Sequence, residues 1–305
     1  MAQADAHDQA QAHVLLGASA EPIAPAIRRI GVADLFDALA RGWEDFAATP
    51  SHGVFLCIIY PALGIAIAGL TLGFATLPLL FPLAAGFALI GPLAALGLYE
   101  LSRRREAGAS AAASDALDVL RSPSLGAIVA LGALLMIIFF TWIATARAIY
   151  VTNFGYATPE SISQFAHDVL FTRAGWTLIL VGNFVGFLFA AVVLAISVVS
   201  FPLLLDRDVG AAVALLTSLR VVVANPLTMA LWGLIVVALL VIGSLPLFIG
   251  LAVTLPLLGH ATWHLYRKAV VPDLAPRAEF RVRLTTPRYA ADFPAVLWPW
   301  FKEDR

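Results

Sequence analysis

The feature that most restricts the fold of this chain is the length of its stretches without a charged residue. Between Asp45 and Glu100 lie 54 consecutive residues with no Asp, Glu, Lys or Arg. A helix crosses the hydrocarbon core of a bilayer with about 20 apolar residues, so this stretch has room for two spans and a turn. Of the 305 residues, 61% are hydrophobic and 13% are charged, which is too little charge for a typical water-soluble domain. The sequence therefore predicts a polytopic membrane protein.

Further stretches without charge raise the predicted number of transmembrane helices to six. One span is expected in each of the stretches Arg121–Arg147 and Arg173–Asp206, and two are expected between Arg220 and Arg267. Because a helix satisfies its own backbone hydrogen bonds in lipid, the expected fold is all-α. The predicted spans are Val54–Gly73, Leu79–Tyr99, Leu125–Thr145, Gly175–Phe201, Pro226–Ile242 and Leu245–Tyr266.

The distribution of Lys and Arg predicts the orientation of these spans. Six spans place both termini on one side, and that side carries every Lys and Arg except Arg147 and Arg173. Basic residues accumulate in cytoplasmic segments, so both termini are predicted to be cytoplasmic. The N-terminal residues 1–20 contain no continuous apolar region and do not resemble a signal peptide.

A repeat relates two of the predicted spans. Residues 82–104 align without gaps on residues 246–268, and the alignment matches Pro82 with Pro246, Gly86 with Gly250 and Pro92 with Pro256. Small residues and prolines at matching positions favour close, kinked helix packing. The alternative is a transporter or channel for a small solute or lipid, because broken helices at matching places in two repeats often mark a transport site.

Each predicted two-span hairpin is preceded by a short amphipathic stretch that ends at a proline. The three stretches are residues 33–50, 114–123 and 208–226, and helices of this kind lie in the plane of the membrane interface. The chain is thus predicted to contain three units, each an interfacial helix followed by a hairpin. In the first stretch one apolar face is expected from residues at helical spacing, namely Leu35, Phe36, Leu39, Trp43 and Phe46.

The predicted domain organisation has a membrane domain between two cytoplasmic tails. Residues 1–30 are Ala- and Gln-rich and are expected to be disordered, residues 31–271 form the six-helix domain, and residues 272–305 form a second tail. Within the long external loop, residues 159–172 predict a short helix on the outer surface.

Three ionisable side chains form the first candidate functional group. His260 and His264 are four residues apart and share one helical face, and the repeat aligns His264 with Glu100. Imidazoles in this position can hold a metal or haem, and ionisable groups inside a membrane are candidates for a function. Since these residues lie near a helix end, structural hydrogen bonding is favoured, and no metal or cofactor is predicted.

A second candidate group is the sequence Asp206-Arg207-Asp208 at the end of the fourth span. It predicts an ion-pair cluster that fixes the following interfacial helix, with binding of a partner's basic loop as the alternative. The chain carries no nucleophile–base pair, phosphate-binding loop, Cys/His metal cluster or nucleic-acid-binding patch. The sequence therefore predicts a protein that is not an enzyme and does not bind nucleic acid.

Five runs of the sequence carry a family resemblance, namely residues 42–46, 81–92, 97–104, 197–210 and 255–268. Together they resemble one bacterial family of integral membrane proteins, catalogued as domain-of-unknown-function family 2189. The resemblance implies a bacterial inner-membrane protein, and some members of the family are labelled as cytochrome c oxidase subunit I. Only His260 and His264 lie within predicted spans, which is too few ligands for a haem-copper catalytic subunit. We therefore predict an accessory or assembly component of a larger membrane complex, in contact with lipids and other inner-membrane subunits.

Overall fold

The computed structural model describes residues 25–48, 78–89, 91–109, 111–156, 158–246 and 248–272. In these ranges the regular elements are helices, apart from one isolated antiparallel bridge between Ile27 and Val270. The predicted all-α class is confirmed for this part of the chain. The predicted first span and most of both predicted tails lie outside the described residues.

Eleven α-helices and one longer 3-10 helix occupy the described ranges. In chain order the α-helices are α1 Val32–Ala48, α2 Leu80–Leu89, α3 Gly91–Ala94, α4 Leu96–Glu106, α5 Leu125–Phe154, α6 Ile162–Phe171, α7 Arg173–Ser197, α8 Ser200–Asp206, α9 Ala211–Ala224, α10 Pro226–Ser244 and α11 Leu251–Ala269. The 3-10 helix, Ala113–Arg121, precedes α5.

Three segments of the described chain are long and apolar enough to cross a membrane. They are α5, the continuous segment Arg173–Asp206 that contains α7 and α8, and α10. The predicted second span is instead a series of shorter helices, α2 to α4, and the predicted sixth span begins only at Leu251 and contains Pro256. The total of six spans remains a prediction.

Helices α5 and α7 pack against each other as an antiparallel pair. Trp142 of α5 is buried, and its ring lies against Gly186 of α7, where an added Cβ would be 3.0 Å from the ring. The indole Nε1 of Trp142 donates a hydrogen bond to the carbonyl of Pro82 at 2.8 Å. One aromatic side chain therefore joins α2, α5 and α7.

The first amphipathic helix, α1, buries a different face from the one that its sequence predicts. Leu35 and Phe46 face the interior, but Phe36 and Trp43 are 61% and 51% exposed. The buried face of α1 is thus turned around the helix axis relative to the predicted apolar face: α11 covers the edge with Leu35 and Phe46 and leaves the edge with Phe36 and Trp43 uncovered. An exposed aromatic stripe on a membrane protein is typical of contact with the lipid interface.

Part of the predicted N-terminal tail belongs to the packed domain. Ile27 pairs with Val270, and the Arg28 amide donates to the carbonyl of Ala269 at 2.8 Å. Ile30 is buried. Residues 26–28 are therefore held against the end of α11.

Candidate functional site

Helices α1, α4 and α11 meet at one end of the bundle through two close backbone approaches. A Cβ at Gly42 of α1 would lie 2.7 Å from the backbone nitrogen of Ala261 in α11. A Cβ at Gly259 of α11 would lie 2.5 Å from a methyl carbon of Leu98 in α4. Because both positions are glycine, the three helices come close enough for short polar side chains to touch.

The carboxylate of Asp45 is the centre of this junction. Its Oδ2 accepts hydrogen bonds from Ser102 Oγ at 2.6 Å and from His264 Nε2 at 2.8 Å. Its Oδ1 lies 3.2 Å from Arg105 Nε. We call Asp45, Ser102, Arg105, His260 and His264 the Asp45 cluster. One side chain of α1 thereby joins two side chains of α4 and one of α11.

The hydrogen bonds determine the proton positions on His260. A hydroxyl has one proton, and Ser102 donates it to the carboxylate of Asp45. Ser102 Oγ must therefore accept from His260 Nδ1, which lies 2.8 Å away. The neutral ring then carries a lone pair on Nε2. That atom is buried and has no hydrogen-bond partner among the described residues.

Burial and hydrogen bonding act on Asp45 in opposite directions. Burial alone would raise the pKa of this carboxyl, but the hydrogen bonds from His264 and Ser102 outweigh it, and the pKa falls below its ordinary value of 3.8. Asp45 is therefore ionised at neutral pH and supplies the negative charge that Arg105 faces.

Glu100 lies in a separate ionic cluster. Its buried carboxylate accepts from Arg103 Nε at 2.7 Å and from Arg104 Nε at 2.9 Å. Arg104 also reaches Asp118 of the 3-10 helix. The repeat aligns Glu100 with His264, but the structure gives the two side chains different partners, because the carboxylate beside His264 comes from Asp45.

The predicted cluster Asp206-Arg207-Asp208 makes contacts inside the protein. Asp206 Oδ2 accepts from the Tyr266 hydroxyl at 2.7 Å and lies 3.2 Å from Arg267 Nη1. Arg207 Nη2 donates to the carbonyl of Val271. These contacts connect the end of α8 to the end of α11.

Asp208, the third residue of this cluster, contacts the residue that precedes α5. Ser124 Oγ donates to Asp208 Oδ1 at 3.3 Å. Burial raises the pKa of Asp208, and this hydrogen bond opposes the rise.

The matched glycines of the repeat face different neighbours. A Cβ at Gly86 would lie 2.7 Å from a ring carbon of Phe139 in α5. A Cβ at Gly250 would lie 2.8 Å from the carbonyl oxygen of Gly243, at the end of α10. Each glycine thus permits a close contact with its own surroundings, which is what the packing interpretation expects.

The four prolines of the repeat have four different environments. The carbonyl of Pro82 accepts the Trp142 hydrogen bond, and Pro92 lies in the short helix α3. Pro246 is exposed beyond the end of α10, whereas Pro256 is buried within α11. The repeat in sequence is therefore not a repeat of contacts in the described residues.

The Asp45 cluster has the chemistry of a buried hydrogen-bond network. In the part of the chain that the structure describes, no group of three or more His, Cys, Asp or Glu side chains is placed to hold a metal ion. Asp45 and Ser102 were not predicted as site residues. The one local signal for Asp45 was its place as an acidic residue near the end of an amphipathic stretch. Its contact with His264 could not be predicted from local pattern, because the two residues are 219 positions apart.

Comparison with known proteins gives a result at the level of the family. No curated protein and no solved structure matches the chain significantly. A family model does match part of it, and that part contains α2 to α8. Residues 79–206 match domain-of-unknown-function family 2189, described as a predicted integral membrane protein, which confirms the family resemblance over this segment.

Proposed function

We propose that this integral membrane protein is a non-catalytic accessory or assembly component of a larger inner-membrane complex, and that it associates with its partners through α7. The observation that supports this proposal is a polar side chain on an uncovered apolar face. Asn183 is exposed on α7, and the neighbouring exposed side chains include Leu180, Phe184 and Phe187.

Asn183 has unused hydrogen-bonding capacity. Its Nδ2 donates to the carbonyl of Ile179 at 2.7 Å, four residues earlier in the same helix. Within the described residues its Oδ1 has no hydrogen-bond partner. Amide side chains on such faces hydrogen-bond across membrane helices, with about 1–2 kcal/mol per contact in model peptides. A donor on a neighbouring helix therefore satisfies this oxygen better than lipid chains do.

The Asp45 cluster supports a role without catalysis. Ser102 and His260 are buried, and the Ser102 proton is directed to Asp45 and not to the imidazole. A serine nucleophile requires the opposite arrangement, in which the imidazole accepts the hydroxyl proton and substrate reaches the oxygen. The cluster instead holds α1, α4 and α11 together.

The transport alternative receives less support from the repeat. Gly86 is covered by the Phe139 and Trp142 rings, and Gly250 is covered by Gly243. A lipid or solute between these positions would have to displace those contacts.

Purification in a mild detergent tests the proposal. The full-length tagged protein would be isolated from its native membrane as wild type and as the variants Asn183→Leu and Asn153→Leu. Asn153 is the matched control, because its Nδ2 makes the same bond to a carbonyl four residues earlier, that of Ile149 at 2.8 Å. We expect other membrane subunits to co-purify in fixed ratio with wild type and Asn153→Leu, and to be lost from Asn183→Leu.

Two results would overturn the proposal. One is a wild-type protein that purifies as a single-component homomer from its native membrane. The other is equal recovery of partners with all three forms. A homomer that retains a bound lipid near Gly86 or Gly250 would favour the transport alternative instead.

A further inference from the structure

Three arginines on the predicted cytoplasmic side differ from the other basic residues there. The other described Lys and Arg side chains on that side each lie within 4.0 Å of a carboxylate oxygen; they are Arg41, Arg103, Arg104, Arg105, Arg121, Arg207, Arg267 and Lys268. Arg28, Arg29 and Arg220 are exposed, and among the described residues none of their guanidinium groups has an acidic partner. Their charges are therefore available to a ligand.

The fold brings these arginines to the junction between α9 and α10. Asn225, which separates the two helices, accepts from the Ile30 amide at 2.8 Å and donates to the Arg28 carbonyl at 3.2 Å. Thr228 Oγ1 donates to the Ile30 carbonyl at 3.1 Å. Since the Arg28 amide also binds Ala269, its backbone is fixed from two sides while its side chain remains exposed.

Arg220 approaches the same junction from α9. It lies five residues before Asn225, or roughly 7 Å along the helix axis. The exposed face of α9 also carries Leu216 and Val223, which are 52% and 78% exposed. The opposite face packs against the protein through small or short residues; these are Ala211, Ala214, Thr217, Ser218 and Val221.

The exposed apolar residues continue from α9 into α10. Leu227, in the first turn of α10, is 85% exposed. Helix α10 is one of the three segments long and apolar enough to cross a membrane. The junction therefore lies at the level where the chain enters the bilayer, which is the depth of the phospholipid headgroups.

We propose that Arg28, Arg29 and Arg220 form a binding site for the headgroup of an anionic phospholipid, while Leu216, Val223 and Leu227 contact its acyl chains. An exposed face that carries both apolar side chains and unpaired cations matches an anionic lipid, which presents both kinds of surface at one depth. A water-facing helix would carry polar residues on this face. This site is independent of the association through Asn183.

Native mass spectrometry of the full-length protein tests the site. The detergent-purified protein would be titrated with dioleoyl phosphatidylglycerol and, separately, with the zwitterionic dioleoyl phosphatidylcholine. The test variant is Arg28→Gln/Arg29→Gln/Arg220→Gln. We expect the first phosphatidylglycerol molecule to bind this variant at least fivefold more weakly than it binds wild type. A single arginine near a charged lipid surface already changes affinity by about that factor. Binding of phosphatidylcholine should change little.

Two control variants distinguish specific binding at this site from a general effect of net charge and from misfolding. Arg277→Gln/Arg281→Gln/Arg283→Gln removes the same charge from residues outside the described ranges, and it should retain the wild-type affinity. The triple Lys variant of Arg28, Arg29 and Arg220 keeps the charge and should recover most of the binding. If the junction variant binds phosphatidylglycerol like wild type, or the tail variant loses as much affinity, the proposal is wrong. Loss of a co-purifying protein with unchanged lipid binding would assign the surface to a protein partner and overturn the proposal as well.

Discussion

Replacement of Asp45 by alanine tests whether the Asp45 cluster holds the helices together. The substitution removes the carboxylate that accepts from Ser102 and His264 and faces Arg105. The three groups that remain lie on α4 and α11 and have lost their shared partner. The variant therefore perturbs contacts among three helices at one point.

The expected loss of stability follows from the burial and number of these contacts. The side chain of Asp45 is only 8% exposed. Hydrogen bonds to a charged group contribute about 1.5–3 kcal/mol each, and removal of one partner from a buried ion pair costs about 3–5 kcal/mol. Since the contacts of one carboxylate are not additive, we expect Asp45→Ala to lower the free energy of unfolding by about 3–5 kcal/mol.

Unfolding in mixed micelles with increasing dodecyl sulfate, followed by far-ultraviolet circular dichroism, measures this loss. Asp37→Ala is the matched control, since Asp37 lies on the same helix and pairs with Arg41 and Lys268 on an exposed surface. That variant should lose at most about 1 kcal/mol. Asp45→Ala/His264→Ala should lose less than the sum of its single changes. Equal stability of Asp45→Ala and Asp37→Ala would refute the structural role of the cluster.

Three further predictions concern pH, packing and topology. The pKa of Asp45 lies below 3.8, so the stabilising contribution of its carboxylate is complete above about pH 4 and is lost at lower pH. The difference in unfolding free energy between wild type and Asp45→Ala should therefore narrow from pH 6 to pH 3. Gly42→Ala should lower unfolding free energy by about 1–2 kcal/mol, because its Cβ would meet the α11 backbone; Gly126→Ala, with nothing within 4 Å of its Cβ, should raise it by up to about 1 kcal/mol. Similar changes in the unfolding free energy of the two glycine variants would contradict the close approach of α1 to α11 at Gly42. Reporter fusions should read cytoplasmic after Arg105 and external near Pro159, and an external signal after Arg105 would exclude the predicted topology.

The sequence predicted those features that depend on local pattern. Helices α5 and α10 begin at Leu125 and Pro226, the predicted first residues of their spans. Apolar composition and a proline at the start of the helix (Pro226) or just before it (Pro123) are enough to predict both, since neither depends on distant residues. The short helix α6 was likewise predicted from one apolar face and polar residues at its start.

Features that depend on distant partners were not predictable in the same way. The periodicity of α1 indicated an amphipathic helix, but not that Leu35 would face α11 and Phe36 would remain exposed. The alignment of Glu100 with His264 suggested a contact between repeats, whereas Glu100 pairs with Arg103 and His264 hydrogen-bonds to Asp45. A sequence repeat therefore does not determine which ionisable groups meet between copies.

The close packing of α1 on α11 has a consequence for biosynthesis. The chain is made from its N-terminus, so α1 leaves the ribosome long before the residues that cover Leu35 and Asp45 exist. Contacts of such large sequence separation form late and leave apolar surface uncovered in the meantime. Until α11 is complete, the face of α1 that packs on α11 has only the membrane surface or a chaperone to shield it. In a product truncated before His264, Asp45 lacks its hydrogen bond to that residue. A quality-control protease that recognises an unpaired α1 would therefore degrade incomplete chains selectively.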